Sequence, residues 1–398
     1  MAKKLRIDWF LFAITAGLAL FGSVMVYSAS AMISLRETEG VTQFSYFYKQ
    51  FGFTVIGLGV MYATSKIHYK WYEHKYAVYG SLIITIILLL AVFGFPSING
   101  ARRWIRFAGM SFQPSEIAKV AMPVFLAYFL TKNEALIGDI RETVVPCLFV
   151  MGLVCGLIFL EPDLGTVIVL SAVFVTVYFA AGAKILHLGI ISGSLVFLGT
   201  MALIFAPWRM SRLMAFLEPC SEENRVGAGY QVCQSLMGIG SGGIFGEGFA
   251  RGQQKLFYLP YPHSDFIFAN VGEELGLVGT FAVVIAFGIL LWRGTRAALL
   301  APDRFGMLLG IGIITGIIVQ ALFNISVVIS ILPAKGIPLP FISYGGSSII
   351  VTLFAIGVLL NISQHAGFIS VDDGAKLVNA PPKKRKTVKR KTSVKRKK

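Results

Sequence analysis

Charged residues are so widely spaced in this chain that the segments between them are long enough to cross a lipid bilayer. A transmembrane helix needs roughly 20 mostly apolar residues. Because 56% of the residues are hydrophobic and only 14% are charged, unlike an ordinary soluble domain, we predict an all-α polytopic membrane protein. The predicted spans are about Trp9–Ala31, Gln50–Ser65, Tyr76–Phe95, Pro114–Leu130, Thr143–Leu160, Leu164–Ala183, Ile185–Trp208, Phe266–Trp292, Phe305–Leu332 and Tyr344–Ser363.

The distribution of Lys and Arg predicts the orientation of these ten spans. The basic start MAKKLRIDW resembles a signal peptide, but the apolar run after it is longer than such peptides carry, so we expect it to be retained. Cytoplasmic segments are enriched in Lys and Arg, and 24 of the 36 lie in the N-terminus, the even-numbered connections and the tail. Both termini are therefore predicted to be cytoplasmic, with a large extracytoplasmic loop, about 208–265, between helices 7 and 8.

The C-terminal segment differs in composition from the rest of the chain. Residues 376–398 are low in complexity and strongly basic, so we expect a disordered cytoplasmic tail attracted to anionic lipids or acidic partners. Basic runs of this kind also resemble nucleic-acid patches, but we expect no nucleic acid partner for a ten-span protein. Residues 1–375 form one transmembrane domain in this interpretation.

Basic residues on the predicted outer side break the usual charge bias. The segment NGARRWIRFAGMSFQPSEIAK places four cations there, and the long outer loop adds five more. Together they could neutralise the phosphate or pyrophosphate of a lipid headgroup. Ordinary anchoring by snorkelling side chains is the alternative. The residues are Arg102, Arg103, Arg106, Lys119, Arg209, Arg212, Arg225, Arg251 and Lys255.

Carboxylates also occur beside the predicted outer ends of helices. Pro114 suits the first turn of a helix, which places Glu116 and Lys119 on one face. Such a pair near hydrocarbon is costly unless it is partnered or faces a cavity. LEPDLGT places Glu161 and Asp163 in a tight outer turn. A purely structural ion pair is the alternative for each.

Two outer segments have unusual sequences. LPAKGIPLPFISYGGSS is rich in Pro and Gly and contains Lys335, which predicts a non-helical re-entrant loop lining a cavity. The Gly-rich stretch Met237–Lys255 lacks the strand and helix of a nucleotide site, so we expect a flexible loop with an amphipathic portion. Cys220 and Cys233 lie in the same outer loop, where a disulfide is allowed but not required.

The motifs ARRWIRF, FQPSEIAK, EPDLGT, GYQVCQSLMGIGSGGIFGEG, KLFYLPYPHSDFIFANVGEELG and LPAKGIPLPFISYGGSS, in this order, closely resemble the SEDS family. The resemblance implies a peptidoglycan glycosyltransferase that polymerises lipid II at the outer face of the bacterial cytoplasmic membrane. It also implies that Asp265, in the HSDF motif, is the catalytic carboxylate. Where the family usually has a glutamate after proline, this chain has Tyr261 and Pro262, so the role of that glutamate is unfilled.

Within the family, Lys335 in LPAKG, the segment QQKLFYLP and the basic tail resemble the division type more than the elongation type. The resemblance therefore implies septal cell-wall synthesis with a class B penicillin-binding protein, a transpeptidase, as partner, together with other division membrane proteins. An elongation or sporulation role is the alternative within the family.

Polymerisation requires a sugar hydroxyl to attack an anomeric carbon whose leaving group is polyprenyl pyrophosphate. A partly desolvated carboxylate suits the base, and cations suit the leaving group, so Asp265 is the predicted base. A divalent cation, Mg²⁺ or Mn²⁺, could assist near His263, but the sequence establishes no cofactor. Glu273 and Glu274 suit the N-terminal turns of a helix. The candidate substrate-binding residues are Arg102, Glu116, Lys119, His263, Lys335 and Ser343.

Two other classes of function remain as alternatives. A lipid II transporter would use polar groups inside the membrane, such as Gln320 and Asn324, although interhelical hydrogen bonds are the simpler interpretation. A scaffold for a transpeptidase would need no catalytic carboxylate at Asp265. The concentration of unusual charges at one face favours chemistry at that face.

Overall fold

A computed structural model describes residues 7–97, 100–107, 110–205, 207–227, 229–256 and 258–365 of the chain. The predicted domain boundary at residue 375 and the basic tail 376–398 lie outside the described residues.

The described chain is mainly helical, and each of the ten predicted spans coincides with one helix. The predicted bounds differ from the observed ones by up to seven residues. The α-helices are α1 (Trp9–Glu37), α2 (Ser45–Lys66), α3 (Lys75–Ala91), α4 (Pro114–Lys132), α5 (Val145–Leu160), α6 (Leu164–Ala180), α7 (Ile185–Ile204), α8 (Pro207–Leu217), α9 (Tyr230–Gly242), α10 (Ile267–Leu299), α11 (Arg304–Val328) and α12 (Gly346–His365).

Six helical segments of the described chain are long and apolar enough to cross a membrane by themselves. They confirm a multi-pass helical membrane protein and leave the count of ten as a prediction. Two shorter apolar helices lie at Leu164–Ala180 and Ile185–Met201. The six segments are Trp9–Glu37, Lys75–Gly94, Ile140–Leu160, Ile267–Leu299, Arg304–Val328 and Gly346–His365.

Short elements connect the helices. Strands β1 (Ile105–Phe107) and β2 (Met110–Phe112) form an antiparallel hairpin before α4, with Ile105 opposite Phe112. The short helical turns are Tyr69–Glu73, Val92–Gly94, Glu134–Leu136 and Asn224–Val226, and a π-helical turn spans Ile140–Val144.

Helix α11 lies at the centre of the bundle, since 72% of the residues in its apolar 18-residue stretch are buried inside the protein. It packs against α4, α6, α10 and α12. Small residues permit this close packing: a Cβ atom at Gly310 would lie 2.7 Å from Ala298 Cβ of α10, and one at Gly312 would lie 2.9 Å from Pro123 Cβ of α4.

The long connection between α7 and α10 is ordered around two helices, α8 and α9. A disulfide joins Cys220 to Cys233, so the pairing that the sequence only allowed is present. Cys147 is buried and Cys155 is half-buried within α5, as expected for core residues.

Helix α10 is broken at Gly276, where φ is 64°. Four residues of the Gly-rich segment 243–248 make backbone hydrogen bonds to both sides of the break and so replace the helical bonds that it removes. The expectation of a flexible loop is therefore wrong for this segment, which is hydrogen-bonded to α10. Glycine suits these positions because it lets the segment approach the broken backbone closely. The four bonds are Leu277 N to Gly243 O at 2.9 Å, Val278 N to Ile244 O at 3.2 Å, Glu247 N to Glu273 O at 2.9 Å and Gly248 N to Glu274 O at 3.1 Å.

Side chains from the first half of α10 hold the next part of the connection. The Glu273 carboxylate accepts from the backbone N–H groups of Gln253 and Gln254, and Glu274 accepts from Ala250 N. Lys255 donates to Glu274 Oε1 at 2.6 Å and is almost fully buried. Lys255 is therefore committed to a buried ion pair, which corrects its prediction as a phosphate-binding cation.

Candidate functional site

Asp265 lies immediately before α10, where two other elements fix the backbone around it. Asn324 Nδ2 of α11 donates to the Asp265 carbonyl oxygen at 2.7 Å. Ser343 Oγ donates to the Ser264 carbonyl oxygen at 2.6 Å. Both bonds use backbone acceptors, so they position Asp265 without engaging its carboxylate.

The non-helical segment between α11 and α12, residues 329–345, packs inside the protein, as the sequence predicted. Asn324 Nδ2 also donates to Ile337 O at 2.7 Å, and Gln320 Nε2 donates to Pro338 O at 2.8 Å. The segment reaches deep into the bundle, because a Cβ atom at Gly22 of α1 would lie 2.5 Å from its backbone. Gln320 and Asn324 thus hold the re-entrant loop, a structural role that differs from the interhelical hydrogen bonds expected of them because their partners here are loop carbonyl groups.

A cavity of about 370 Å³ lies beside this loop. Three cations line it, Arg103 before β1, Arg212 of α8 and Lys335 of the re-entrant loop. Asp163 is the carboxylate among its lining residues. Gly336 also lines the cavity and contacts Asp265, since a Cβ atom on Gly336 would lie 2.8 Å from Asp265 Oδ2.

The lining of the cavity therefore carries more cations than carboxylates. Burial and the nearby Arg103 charge lower the pKa of the Arg212 guanidinium. An arginine remains protonated despite such a shift. Three cations against one lining carboxylate favour a ligand with more than one negative charge.

Asp163 caps α6 and is held firmly at the cavity wall. Its Oδ1 accepts from Thr166 N at 3.2 Å, and its Oδ2 accepts from Thr166 Oγ1 at 2.8 Å and from Gln113 Nε2 at 3.1 Å. Arg103 is held opposite it by bonds to the backbone, with Nε donating to Glu161 O at 2.9 Å. The tight turn predicted from LEPDLGT is thus one wall of the site.

The environment of Asp265 suits a general base. Burial raises the pKa of its carboxyl to about 6; Arg103 lowers it, Asp163 raises it further, and a hydrogen bond from Ser264 lowers it. A group with this pKa is mostly ionised at neutral pH and still has a higher proton affinity than an exposed aspartate. Electrostatic coupling to Arg103 and Asp163 links Asp265 to the cavity.

Lys119 is positioned as predicted beside Glu116, but its donors are used inside the protein. Its Nζ lies 2.7 Å from both Glu116 oxygens and 2.7 Å from Gln320 Oε1. The group joins α4 to α11, and Gln320 in turn holds the re-entrant loop. In this arrangement Glu116 and Lys119 lie behind the loop and are not among the residues that line the cavity.

The other predicted site residues also lie outside the cavity lining. Arg102 is exposed, and its guanidinium donates to Phe93 O at 3.0 Å. His263 is buried between the rings of Tyr46 and Tyr344, and burial lowers its pKa to about 4, so it is neutral at pH 7. Ser343 joins the loop to the segment before α10, since its Oγ accepts from Leu339 N of the loop and donates to the Ser264 carbonyl oxygen.

Sequence reasoning selected Arg102 from the ARRWIRF motif, whereas Arg103 lines the cavity. Asp163, Arg212 and Gly336 were recognised in their segments without being selected as site residues. Adjacent arginines carry no signal in the sequence that shows which one faces inward. The side chains of Arg209 and Arg225, also proposed for anion binding, lie outside the described residues.

The fold and site define a multi-pass helical membrane protein with a cation-lined cavity beside a partly desolvated carboxylate. The family model described as "Cell cycle protein", named for FtsW, RodA and SpoVE, matches residues 8–367. The chain therefore belongs to the FtsW/RodA/SpoVE family, which confirms the SEDS resemblance.

Similar proteins include both division and sporulation members. The chain is 39% identical over 367 residues to a probable peptidoglycan glycosyltransferase FtsW of Geobacter metallireducens, covering 90% of this chain and 95% of the relative. It is 39% identical over 377 residues to the stage V sporulation protein E of Bacillus subtilis, covering 92% and 99%.

Solved structures share the fold. A chain from a study of the structural coordination of polymerization and crosslinking by a peptidoglycan synthase complex has a TM-score of 0.73 and 26% identity, with 90% of this chain and 98% of that chain covered. The rod shape determining protein RodA of Thermus thermophilus has a TM-score of 0.67 and 26% identity, with coverage of 91% and 98%.

Proposed function

We propose that this protein is a peptidoglycan glycosyltransferase that polymerises lipid II into glycan strands at the outer face of the bacterial cytoplasmic membrane. The observation that carries this function is the position of Asp265 against Gly336, at the edge of a cavity lined by Arg103, Arg212 and Lys335. The two halves of the site match the two demands of the reaction, a base for a sugar hydroxyl and cations for a pyrophosphate leaving group.

In the proposed reaction, Asp265 removes the proton from the attacking sugar hydroxyl of one substrate. The hydroxyl oxygen forms a bond to the anomeric carbon of the other substrate, and the bond from that carbon to the pyrophosphate oxygen breaks. The pyrophosphate leaves with the bonding electrons, and Arg103, Arg212 and Lys335 stabilise its charge. A single displacement of this kind inverts the configuration at the anomeric carbon.

Glu116, Lys119, His263 and Ser343 enter this proposal as residues that position the reactive groups. Their contacts fix α4, α11, the re-entrant loop and the backbone beside Asp265. Arg102 is proposed to contact lipid headgroups, because its exposed side chain lies beside the cavity residues Ala101 and Arg103.

No group of three or more His, Cys, Asp or Glu side chains in the part of the chain that the structure describes is arranged to hold a metal ion. A resident metal site does not fit these residues, so no step is assigned to one. A divalent cation, Mg²⁺ or Mn²⁺, enters the proposal as a companion of the substrate pyrophosphate.

The proposed setting is septal cell-wall synthesis, supported by relatives named FtsW at 39% identity. The proposed topology has ten spans with both termini in the cytoplasm. A class B penicillin-binding protein is the proposed partner, supported by the structural likeness to a chain of a peptidoglycan synthase complex. Other division membrane proteins and anionic lipids, contacted by the basic tail, complete the proposed interactions.

The elongation role is the alternative within the family, supported by the structural likeness to RodA. The two roles differ in where the protein acts rather than in the chemistry of the site. A fluorescent fusion at native expression level separates them: septal enrichment supports the division role, and a distribution along the side wall supports elongation.

The decisive experiment is lipid II polymerisation by the purified protein together with its transpeptidase partner. We expect glycan chains from the wild type and a loss of about a thousandfold or more from Asp265→Asn, because the isosteric amide cannot accept the proton. Glu222→Gln, an exposed change in the outer connection, is the control. Equal product from Asp265→Asn, at matched folding and complex formation, would show that Asp265 is not the base and that another group removes the proton.

The same assay tests the ionisation of Asp265. The base acts in its ionised form, so kcat/KM should be constant above its pKa and should fall about tenfold per pH unit below it. With burial raising that pKa to about 6, the fall begins near pH 6 instead of near pH 4. A profile that stays flat down to pH 5 would contradict the assignment of Asp265 as the base.

A further inference from the structure

Glu161, in the turn between α5 and α6, lies behind the cavity wall and has no role in the mechanism described so far. It is fully buried, with 0% of its surface exposed. Neither oxygen of its carboxyl group has a hydrogen-bond partner among the described residues. Asp163, two residues later, differs because both of its oxygens accept hydrogen bonds.

Arg103 does not bond to this carboxyl group. Its Nε donates to the Glu161 carbonyl oxygen at 2.9 Å, and its Nη2 donates to the Pro162 carbonyl oxygen. An ionised carboxylate that is buried without hydrogen bonds is strongly unfavourable, and such groups hold a proton instead. The geometry therefore favours the neutral acid at this position.

We propose that Glu161 carries a proton in the resting protein, and that its neutrality leaves the positive charge of Arg103 available to a phosphate or pyrophosphate group in the cavity. Glu161 is thus a positioning residue, since it acts on the ligand through Arg103. The inference rests on the proposed function only in taking a phosphate-bearing lipid as the natural ligand of the cavity.

The charges around Glu161 agree with a neutral acid. Burial raises the pKa of its carboxyl to about 8, Asp163 in the same turn raises it as well, and Arg103 from the segment before β1 opposes them. Well below this pKa the group is mostly neutral. Above pH 8 it ionises and places a negative charge beside Arg103, so the affinity for an anion falls.

The coupling between proton and anion is reciprocal. An anion in the cavity makes ionisation of Glu161 still less favourable, so binding near pH 8 should be accompanied by proton uptake. Arg212 and Lys335 line the same cavity and keep it cationic in both states of Glu161. The effect is therefore a change in affinity and not an abolition of binding.

The test uses binding of inorganic pyrophosphate to the full-length protein in lipid nanodiscs, measured by calorimetry from pH 7 to pH 9. Glu161→Gln is permanently neutral and nearly the same size. We expect it to bind like the wild type at pH 7 and about tenfold more tightly than the wild type at pH 9, because one adjacent charge is worth about one pKa unit or more. Glu222→Gln should follow the wild type throughout.

Titration of pyrophosphate itself affects all three proteins equally, so the ratio of affinities isolates Glu161. Calorimetry in buffers of different ionisation enthalpy adds a second measurement. Near pH 8 the wild type should take up more protons on binding than Glu161→Gln does. A structural role alone would not produce this difference.

A loss of affinity of tenfold or more in Glu161→Gln at pH 7 would overturn the inference, because it would show that the ionised carboxylate is required. Equal pH profiles for wild type and Glu161→Gln would overturn it as well, and so would an absence of pyrophosphate binding at every pH. Should Glu161→Gln fail to fold, infrared titration of the wild type decides whether a buried carboxyl group loses its proton near pH 8. None of these measurements depends on polymerisation, which the Asp265 variants test separately.

Discussion

Asp265 illustrates how single contacts create a reactive group at the end of a helix. Its carbonyl oxygen accepts from Asn324, the preceding carbonyl accepts from Ser343, and its carboxylate lies against Gly336. The hydrogen bonds fix the backbone, and the absence of a side chain at Gly336 leaves room for the carboxylate. The orientation of the base therefore depends on residues from α11 and the re-entrant loop.

The Gly336 contact gives a prediction at this scale. In Gly336→Ala the new Cβ atom would lie 2.8 Å from Asp265 Oδ2, closer than such atoms approach, so the carboxylate must move. Because small displacements of a reacting group are costly, we expect kcat to fall about tenfold or more. Steady-state polymerisation kinetics of the purified protein measure this change.

Gly345→Ala is the matched control, since it lies in the same loop and its nearest neighbour would be Ser348 Cβ at 3.5 Å, an ordinary contact. It should retain nearly full kcat. If both alanine variants lose activity equally, the loop as a whole is sensitive and the specific contact between Gly336 and Asp265 is not the cause.

At the scale of secondary structure, the break in α10 explains two motifs that otherwise have no function. The GEELG segment supplies the break and two carboxylates, and the Gly-rich segment that precedes it supplies the backbone that fills the gap. Glu273 and Glu274 are structural, as the sequence suggested, but they bond to the outer connection rather than stabilise the helix dipole alone. The part of the outer connection that leads to Asp265 is therefore anchored to the first half of α10.

A glycine substitution tests this arrangement. Gly246 has a φ of 81°, and a Cβ atom there would lie 2.2 Å from the Glu274 carbonyl oxygen. Gly246→Ala should therefore destabilise the protein by about 2 kcal/mol or more, seen as a lower apparent melting temperature in detergent. Gly240→Ala, in α9 with no atom within 4 Å of its new Cβ, should leave the melting temperature unchanged or slightly raised. Equal melting temperatures for the two variants would contradict a tightly packed break.

At the scale of the whole molecule, the bundle is arranged around α11, whereas the apolar part of α10 is largely exposed. Only 22% of the residues in the apolar 18-residue stretch of α10 are buried, against 72% for α11. A chain with such an exposed apolar surface needs lipid or another apolar partner around it. The site is formed where α10, α11, the re-entrant loop and the turn before α6 meet.

The ten-span topology is testable by cysteine labelling in a background where Cys147 and Cys155 are alanine. Glu222→Cys, between α8 and α9, should react with a membrane-impermeant thiol reagent in intact cells, because we place that connection outside. Arg141→Cys, between α4 and α5, should react only after permeabilisation. Labelling of both sites, or of Arg141→Cys alone, in intact cells would show that the proposed topology is wrong.

The sequence by itself determined the class of fold and the approximate positions of the helices, and its resemblance to the SEDS family supplied the prediction that Asp265 is the base. Apolar length is a local property, so each predicted span, such as Leu164–Ala183, coincided with a helix. The spacing of Glu116 and Lys119 placed them on one helical face, where they form the predicted pair. The HSDF motif marked Asp265 because it resembles the family motif that holds the catalytic carboxylate.

Only the tertiary structure decided which cations form the anion site. Arg103, Arg212 and Lys335 come from three distant segments, and their neighbours in the sequence, such as Arg102, have the same chemistry. Lys255 resembled a phosphate ligand until its buried partner Glu274 was known. Long-range packing decides whether a charged side chain contacts a ligand or another residue. The reason is that the electrostatic energy of the side chain depends on the groups that surround it after folding.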